Sequence, residues 1–291
     1  MKQTKKTKLI ILFSLLFVFI IYLIINFWYS NYSFKTIYYS IKSSKIVNPI
    51  KIVQLSDLHS KEYGTENGDI IKEIERINPD IIITTGDMID GFGSKSEVLC
   101  NLLAELSEIA PLYSSLGNHE LMYDEEAALK TTEIYQKSGA ILLDKDFIDV
   151  TVNGNEIRIG GIYGYCLPDI YFENNKEHQE NSDFVRNFQS TENLSILLCH
   201  MPVCFILNQG LDYWDVDLVF SGHLHAGQVR IPFLGGVIAP DMGWFPGEVR
   251  GIYSSNNGEK SLVLSGGLGS SENIPRFNNV PELIVTNVLP E

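Results

Sequence analysis

Several common classes of small binding and redox module are excluded by what the sequence lacks. Its four cysteines, Cys100, Cys166, Cys199 and Cys204, contain no Cys-x-x-Cys pair, which rules out a zinc knuckle and a thioredoxin-like motif. Cys199 and Cys204 could pair in an oxidising compartment; buried free thiols are the preferred alternative. The glycine-rich stretch Gly266-Gly267-Leu268-Gly269-Ser270-Ser271 has neither the Walker lysine nor the G-x-G-x-x-G spacing, so it reads as a turn or a site-lining loop. No carboxylate precedes Asp57, and cations are scarce after it. Taking the eight lysines before Asp57 from the 22 cations leaves 14 against 36 carboxylates, a formal charge of −22. A domain that acidic repels a phosphate backbone, so no nucleic-acid duplex is expected as a partner. There is no internal repeat and no low-complexity tract, and 45% hydrophobic content is ample for a packed core.

What is present begins with a span. Lys2, Lys5, Lys6 and Lys8 precede residues 9–27, nineteen positions interrupted only by Ser14, Tyr22 and Asn26. As a helix that run reaches about 28 Å, close to the hydrocarbon thickness of a bilayer. A cleaved signal peptide would need small residues at its cleavage site, where this chain has Phe27-Trp28-Tyr29-Ser30-Asn31-Tyr32. Those aromatics suit a membrane interface. The expectation is a single-pass anchor in residues 1–28, lodged in the cell membrane. The lysine-rich tip favours a cytoplasmic N-terminus with the rest extracytoplasmic, a bias that Lys35, Lys42 and Lys45 weaken. Residues 29–48 show no clear period and read as a stalk, leaving residues 49–291 as one globular domain.

That domain opens with the apolar run 50–55, which ends in Ser56-Asp57-Leu58-His59. Ile70, Ile71, Ile74 and Ile77 have helical spacing, and Asn78-Pro79 closes the helix. The β-branched run 80–85 then reaches Gly86-Asp87 and reads as a strand covered on both faces. A helical stripe of Val98, Leu102, Leu106 and Ile109 follows. After it the short strand 112–116 ends at Gly117-Asn118-His119-Glu120. Strand, helix, strand, helix, strand is the order of a sheet with crossover helices, which places ligands beyond the carboxyl ends of its strands. Further on, residues 124–137 read as a helix, and Asn153-Gly154 joins two strands as a hairpin. Residues 162–181 read as a loop over the site, residues 194–199 as a strand delivering His200, and residues 229–291 as strand-rich. Leu218-Val219-Phe220 runs into Ser221-Gly222-His223-Leu224-His225, which leaves two imidazoles on one side of an extended segment.

Asp57, His59, Asp87, Asn118, His119, His200, His223 and His225 therefore gather at strand ends, and five of the six histidines are among them. Imidazole, carboxylate and amide donors without thiolate suit manganese, iron or zinc. Eight groups exceed one ion's needs, and two ions about 3.5 to 4 Å apart would use them. The five blocks, complete and in order, resemble the calcineurin-like metallophosphoesterases, and the resemblance covers residues 50–288. It implies a four-layer αββα fold of the α/β class, two mixed sheets packed together with helices outside. It also implies one divalent ion on Asp57, His59, Asp87 and His225, and a second on Asp87, Asn118, His200 and His223, with Asp87 shared. His119 would be a catalytic residue facing the phosphate rather than a ligand. In the purple acid branch of the family a tyrosine stands three residues after the Gly-Asp aspartate. Asp90 stands there here, which argues against a tyrosinate-iron centre.

The expected activity is hydrolysis of a phosphate monoester, diester or pyrophosphate, with lipid-linked and nucleotide-linked substrates both open. In such a site two cations activate a bridging water and clamp the phosphate, and His119 protonates the leaving oxygen or stabilises charge on the phosphate. A nearby carboxylate, Asp57 or Glu120, would orient an imidazole. The competing reading is a catalytically silent metal-binding scaffold of the same fold. Arg276 reads by default as a solvated arginine, with a substrate phosphate in reach as the alternative, and His178 reads as exposed. The apolar loop Asp241-Met242-Gly243-Trp244-Phe245-Pro246 either folds onto its own core or contacts lipid.

Overall fold

Strands whose residues are apolar on both faces need cover on both faces, and the computed structural model supplies it with two stacked sheets and two helical layers. It describes residues 2–90, 96–121, 131–168, 176–247, 249–270 and 274–291. Sheet A has six strands in the order β1-β16-β2-β3-β4-β5. These are β1 (Lys35–Ser43), β2 (Ile50–Leu55), β3 (Ile81–Thr85), β4 (Leu112–Ser115), β5 (Ile141–Leu142) and β16 (Glu282–Pro290). Sheet B runs β14-β15-β9-β8-β7-β6. Its members are β6 (Asp146–Val152), β7 (Asn155–Ile162), β8 (Leu194–Cys199), β9 (Leu218–Ser221), β14 (Gly251–Ser254) and β15 (Ser261–Leu264). β2, β3, β4 and β5 pair in parallel, as do β7, β8, β9 and β15, while β16 runs antiparallel to β2 and β6 to β7. The sheets are therefore mixed, as expected.

Alternate residues of each strand point to different layers. Ile52, Ile81 and Ile83 of sheet A meet Ile159, Ile196 and Phe220 of sheet B between the sheets. Val53 and Ile82 face outward onto α2 (Gly68–Ile77) and α3 (Ser96–Ile109) through Ile70, Ile74, Leu102 and Leu106. Leu197, Val219 and Leu262 face the other way, onto Phe184, Val185 and Phe188 of the helix Lys176–Phe188. Complete burial of one such side chain contributes about 1.5 to 3 kcal/mol. The Asn153-Gly154 turn has φ values of 51° and 77° and joins β6 to β7 as a hairpin.

Two expectations need correction. Residues 35–43 are an edge strand, β1, paired in parallel with β16 along its whole length rather than part of a stalk. Ile37, Tyr39 and Ile41 pack inward while Tyr38 is exposed; two adjacent tyrosines on opposite faces hide the alternation. Residues 176–181 are helical and not loop, because that helix docks partly through buried polar groups. Asn181 Nδ2 donates to the Gly164 carbonyl (3.0 Å) and Ser182 Oγ to that of Leu167 (2.9 Å), so no apolar stripe announces it. The helix expected over residues 124–137 is seen as Thr131–Ser138; residues 122–130 and 169–175 and the side chain of His178 lie outside the described residues.

The N-terminal helix α1 (Lys2–Tyr32) runs past the predicted span at both ends. From Lys5 to Tyr32 it is long and apolar enough to cross a membrane, and no residue of its most apolar 18-residue window is buried, a test that a signal sequence also passes. All four cysteines are free. The shortest sulfur separation is Cys166 to Cys204, 3.0 Å, with Cys199 3.8 Å from Cys166.

Candidate metal centre

The carboxyl ends of β2, β3 and β4 in sheet A meet those of β8 and β9 in sheet B, and the residues just beyond them turn into one site. Backbone bonds lock the ends together. Asp57 N donates to Gly86 O, His59 N to Asp87 O and Gly222 N to His200 O, each at 3.0 to 3.1 Å. Gln54 joins the sheets, its Nε2 donating to Ser221 O at 2.9 Å. Two glycines are needed for this closeness. A Cβ on Gly117 would lie 2.2 Å from Asp87 Oδ1, and one on Gly222 would lie 1.9 Å from Ser56 Oγ. Asp57, His59, Asp87, His223 and His225 all take positive φ, between 47° and 71°. That conformation is uncommon outside glycine, although aspartate and histidine adopt it more readily than most residues, and five instances around one site point to surroundings that hold it.

The structure brings all eight expected residues together. His225 Nε2 lies 3.3 Å from His59 Nε2 and 3.6 Å from Asp57 Oδ1. Asp87 Oδ2 lies 3.2 Å from His200 Nε2, 3.8 Å from His59 Nε2 and 4.0 Å from His119 Nε2. Asn118 Oδ1 is 3.2 Å from His200 Nε2. Potential ligand atoms form three tight groups: Asp57, His59 and His225; His59, Asp87 and His119; and Asp87, His200 and His223. His119 thus stands close enough to join a donor group by distance alone. Its side chain is also the most accessible of these imidazoles, at 16%.

These separations fit bound cations. Two donors 2.0 to 2.1 Å from one ion at the tetrahedral angle are about 3.4 Å apart, close to the His59–His225 spacing. Burial lowers His59 to about 4 and holds His225 well below the ordinary imidazole range, so both are neutral with lone pairs to offer. Burial also opposes charge on His200, but the adjacent Asp87 carboxylate overcomes it and pushes the imidazole up to about 10. Burial works against the Asp87 anion too, and the imidazoles of His200, His59 and His119 nonetheless hold its carboxyl far below the usual range. His200 Nδ1 is 2.7 Å from the Thr85 carbonyl and donates to it, which directs Nε2 toward Asp87 and Asn118.

The supporting carboxylates differ from expectation. Asp57 accepts from Ser56 Oγ (2.6 Å) and His223 N (2.9 Å). Among the described residues, Glu120 hydrogen-bonds no imidazole. Fully buried, it accepts the backbone N–H groups of Asp87 (2.7 Å), Met88 (2.6 Å), Ile89 (3.3 Å) and Gly117 (2.8 Å), clamping the β3 and β4 ends together. Burial and the Asp87 charge push it up to about 7, against the pull of those donors. The carboxylate that does hold an imidazole is Asp241, 2.9 Å from His223 Nε2. It had no signal beyond being one aspartate in a glycine-rich loop. Arg276 is buried and not solvated. Its Nε and Nη2 donate to the carbonyls of Gly269 (2.6 Å) and Gly266 (2.7 Å), and Nη2 lies 3.4 Å from His225 Nδ1. The Gly266–Ser270 loop therefore lines the site, with Gly269 N donating to Asp57 O.

The chain is similar in sequence and in fold to known proteins. An uncharacterized metallophosphoesterase of Aquifex aeolicus is 28% identical over 263 residues, 86% of this chain and 90% of that protein. The uncharacterized metallophosphoesterase YkuE of Bacillus subtilis is 29% identical over 259 residues, 86% of this chain and 84% of its own. A solved dimetal phosphatase from Danio rerio aligns at a TM-score of 0.47 and 13% identity, over 75% of this chain and 87% of that one. The model of the calcineurin-like phosphoesterase family matches residues 50–227. That match takes in well over half of the chain and runs from the strand carrying Asp57 through His225, so the chain belongs to the calcineurin-like phosphoesterase family and is a metal-dependent phosphoester hydrolase.

Proposed function

We propose that the chain is a membrane-anchored binuclear phosphoesterase. Residues 1–28 anchor it in the cell membrane, and the domain faces the extracytoplasmic side. The observation that carries the binuclear reading is the position of Asp87, whose carboxylate touches the donor group around His200 and His223 on one side and His59 on the other. Asp57, His59, Asp87 and His225 would hold one cation and Asp87, Asn118, His200 and His223 the second. Bound there, manganese, iron or zinc supplies Lewis acidity that activates water and offsets phosphate charge.

The rest of the chemistry falls to side chains. His119, the most accessible of the five clustered imidazoles, faces the phosphate and donates a proton to the departing oxygen. Its backbone N–H is fixed to Asp87 Oδ1 at 2.9 Å, which sets the ring beside the shared carboxylate. Asp241 fixes the His223 ring. The substrate is a phosphate ester or pyrophosphate, with lipid-linked and nucleotide-linked forms both compatible with the site.

The test is turnover of aryl phosphate monoesters, diesters and a nucleotide-linked lipid pyrophosphate by enzyme stripped of metal and reloaded with each ion. Metal-dependent hydrolysis with two ions bound is the expected result. Two bound ions without turnover of any of them would favour the silent scaffold. In His119→Ala, turnover should fall about 10²- to 10⁴-fold, the range ascribed to a positioned acid or base, while both ions stay bound. Loss of an ion from that variant would make His119 a ligand instead.

A further inference from the structure

Two short hairpins beside the metal centre carry large apolar side chains into solvent. The first joins β10 (Arg230–Ile231) to β11 (Gly235–Gly236), and the second joins β12 (Ile238–Ala239) to β13 (Gly243–Trp244). Phe233, Leu234, Trp244 and Phe245 on them are all more than half exposed, Trp244 at 70%, and Ile231 and Ile274 beside them are exposed as well. Phe233 and Phe245 take φ of 69° and 51°, a conformation that bulky residues avoid. The backbone therefore bears strain while these rings stay out of the core. The second hairpin also carries Asp241, which reaches back to His223.

The place of these hairpins relative to α1 names what covers them. Asn26, a polar residue inside the apolar run of α1, accepts from Asn278 N at 2.6 Å, and its Nδ2 lies 3.3 Å from Asn278 Oδ1. Asn31 accepts from Arg276 N at 3.0 Å and donates to its carbonyl at 2.7 Å. Phe277, between them, sits in an apolar recess with Leu23, Ile24, Phe27 and Trp28 of α1. Leu23 is about 6 Å along the helix axis from Phe27, so the recess lies below the level at which the apolar run ends. The same strip continues directly into the first hairpin: Arg230 N donates to Phe277 O, and Asn278 Nδ2 to Arg230 O. It also adjoins the metal centre, through Arg276 and His225. Cations gather on this side in an otherwise acidic domain. Lys35 and Arg250 lie 3.8 and 3.6 Å from Glu282, and burial first, then Arg250 and more weakly Arg230, hold the Lys35 ammonium below its ordinary range against the pull of Glu282.

From this placement we propose that the β10–β13 face rests on the bilayer that α1 enters, so that the metal centre opens onto lipid headgroups and takes the phosphoester of an amphiphile. The proposal rests on the anchored phosphoesterase described above and chooses lipid-linked over nucleotide-linked substrates. Trp244 and the two phenylalanines enter the headgroup boundary, the basic trio meets anionic lipid, and Asp241 couples the seated hairpin to His223.

The test uses the full chain in lipid nanodiscs, with Trp28→Phe removing the interfacial tryptophan of α1; Trp214 is buried and does not report lipid. Bromines placed high on the acyl chains should remove about half of the Trp244 emission, as expected for a ring at the headgroup boundary. Unquenched Trp244 in a chain whose mass shows that α1 is retained would overturn the proposal, and concentration-dependent protection by a second copy would reassign the face. As a second readout, Trp244→Ser/Phe245→Ser should lower hydrolysis of bilayer-embedded lysophosphatidate about tenfold and leave p-nitrophenyl phosphate unchanged. Equal losses on both substrates would show that the rings are structural and sink the idea. If no metal restores turnover of either substrate, the phosphoesterase reading fails while the quenching still decides membrane contact.

Discussion

The two sheets contribute unlike halves to the metal centre. Every candidate oxygen donor, Asp57, Asp87 and Asn118, comes from strand ends of sheet A, whereas sheet B supplies only the candidate imidazoles of His200, His223 and His225. The halves are also held differently. Glu120 is buried and ties four backbone N–H groups of the sheet A half into one unit. On the sheet B side, His223 depends on Asp241, whose side chain is 41% exposed and rides on a surface hairpin. The carboxylate half is thus built into the core, and part of the imidazole half is open to whatever touches the surface. A buried, multiply bonded carboxylate is costly to disturb, and an exposed carboxylate–imidazole pair is cheap to disturb but adjustable.

The sharpest way to test that contrast is Asp87→Asn, because Asp87 is the one residue both proposed ion positions share. The variant should lose about 10³-fold in turnover, or about 4 kcal/mol of transition-state stabilisation, and elemental analysis should find fewer than two ions per chain. Two retained ions would show that Asp87 is not shared. Glu120→Gln comes next and attacks the buried clamp without touching a donor. Glutamine offers one acceptor oxygen where Glu120 offers two, so at least one buried N–H is left unpaired, at a cost of about 1 to 3 kcal/mol each. A melting temperature about 10 °C lower is expected for a loss of 3 to 4 kcal/mol in a domain of this size. An unchanged melting curve would mean that the sheet A half is not held by Glu120.

Asp241→Asn should affect the other half more gently. The amide can still approach His223 but no longer fixes its ring with charge, and losses of this kind weaken metal binding about 10- to 100-fold. Metal titration should detect weakening at one ion position only, with the melting curve of the metal-free protein unchanged. Weakening at both positions would mean that the two halves are mechanically one.

The same contrast explains what could be read in the sequence. The sheet A half was legible because apolar strands end in donor residues within one or two positions, as in Ile81–Thr85 followed by Gly86-Asp87, and the covered fold followed from those runs. His200, His223 and His225 were legible for the same reason. Asp241 was not, since its partner is 18 residues away and joined through a hairpin with no hydrophobic period. Glu120 stood in the motif, but its role depends on where four N–H groups point, which residue type alone does not reveal. Arg276 was hidden because its burial follows from the folding of its own loop onto the carbonyls of Gly266 and Gly269 and from docking against Asn31, 245 residues away, neither of which residue type announces.

The smallest expected effect lies at the far end of the sandwich and serves as the control. Asn155 opens β7, and the parallel register pairs Ile157 with Leu194, the first residue of β8, while His200 follows the last. Asn155 is therefore at the edge opposite the metal centre. Its Oδ1 accepts from the backbone of Val47 (2.7 Å) and Asn48 (3.2 Å), and its Nδ2 donates to the carbonyls of Asn48 and Val152, both at 3.0 Å. The side chain pins the segment between β1 and β2 to the β6–β7 hairpin. Asn155→Ala should cost about 1 to 3 kcal/mol of stability, the scale of leaving buried backbone groups unpaired, and should change neither metal affinity nor turnover. If metal affinity falls together with stability, the site is not fixed locally by the strand ends and Glu120. Its geometry would then belong to the whole sandwich, and the difference between the two halves would be one of appearance.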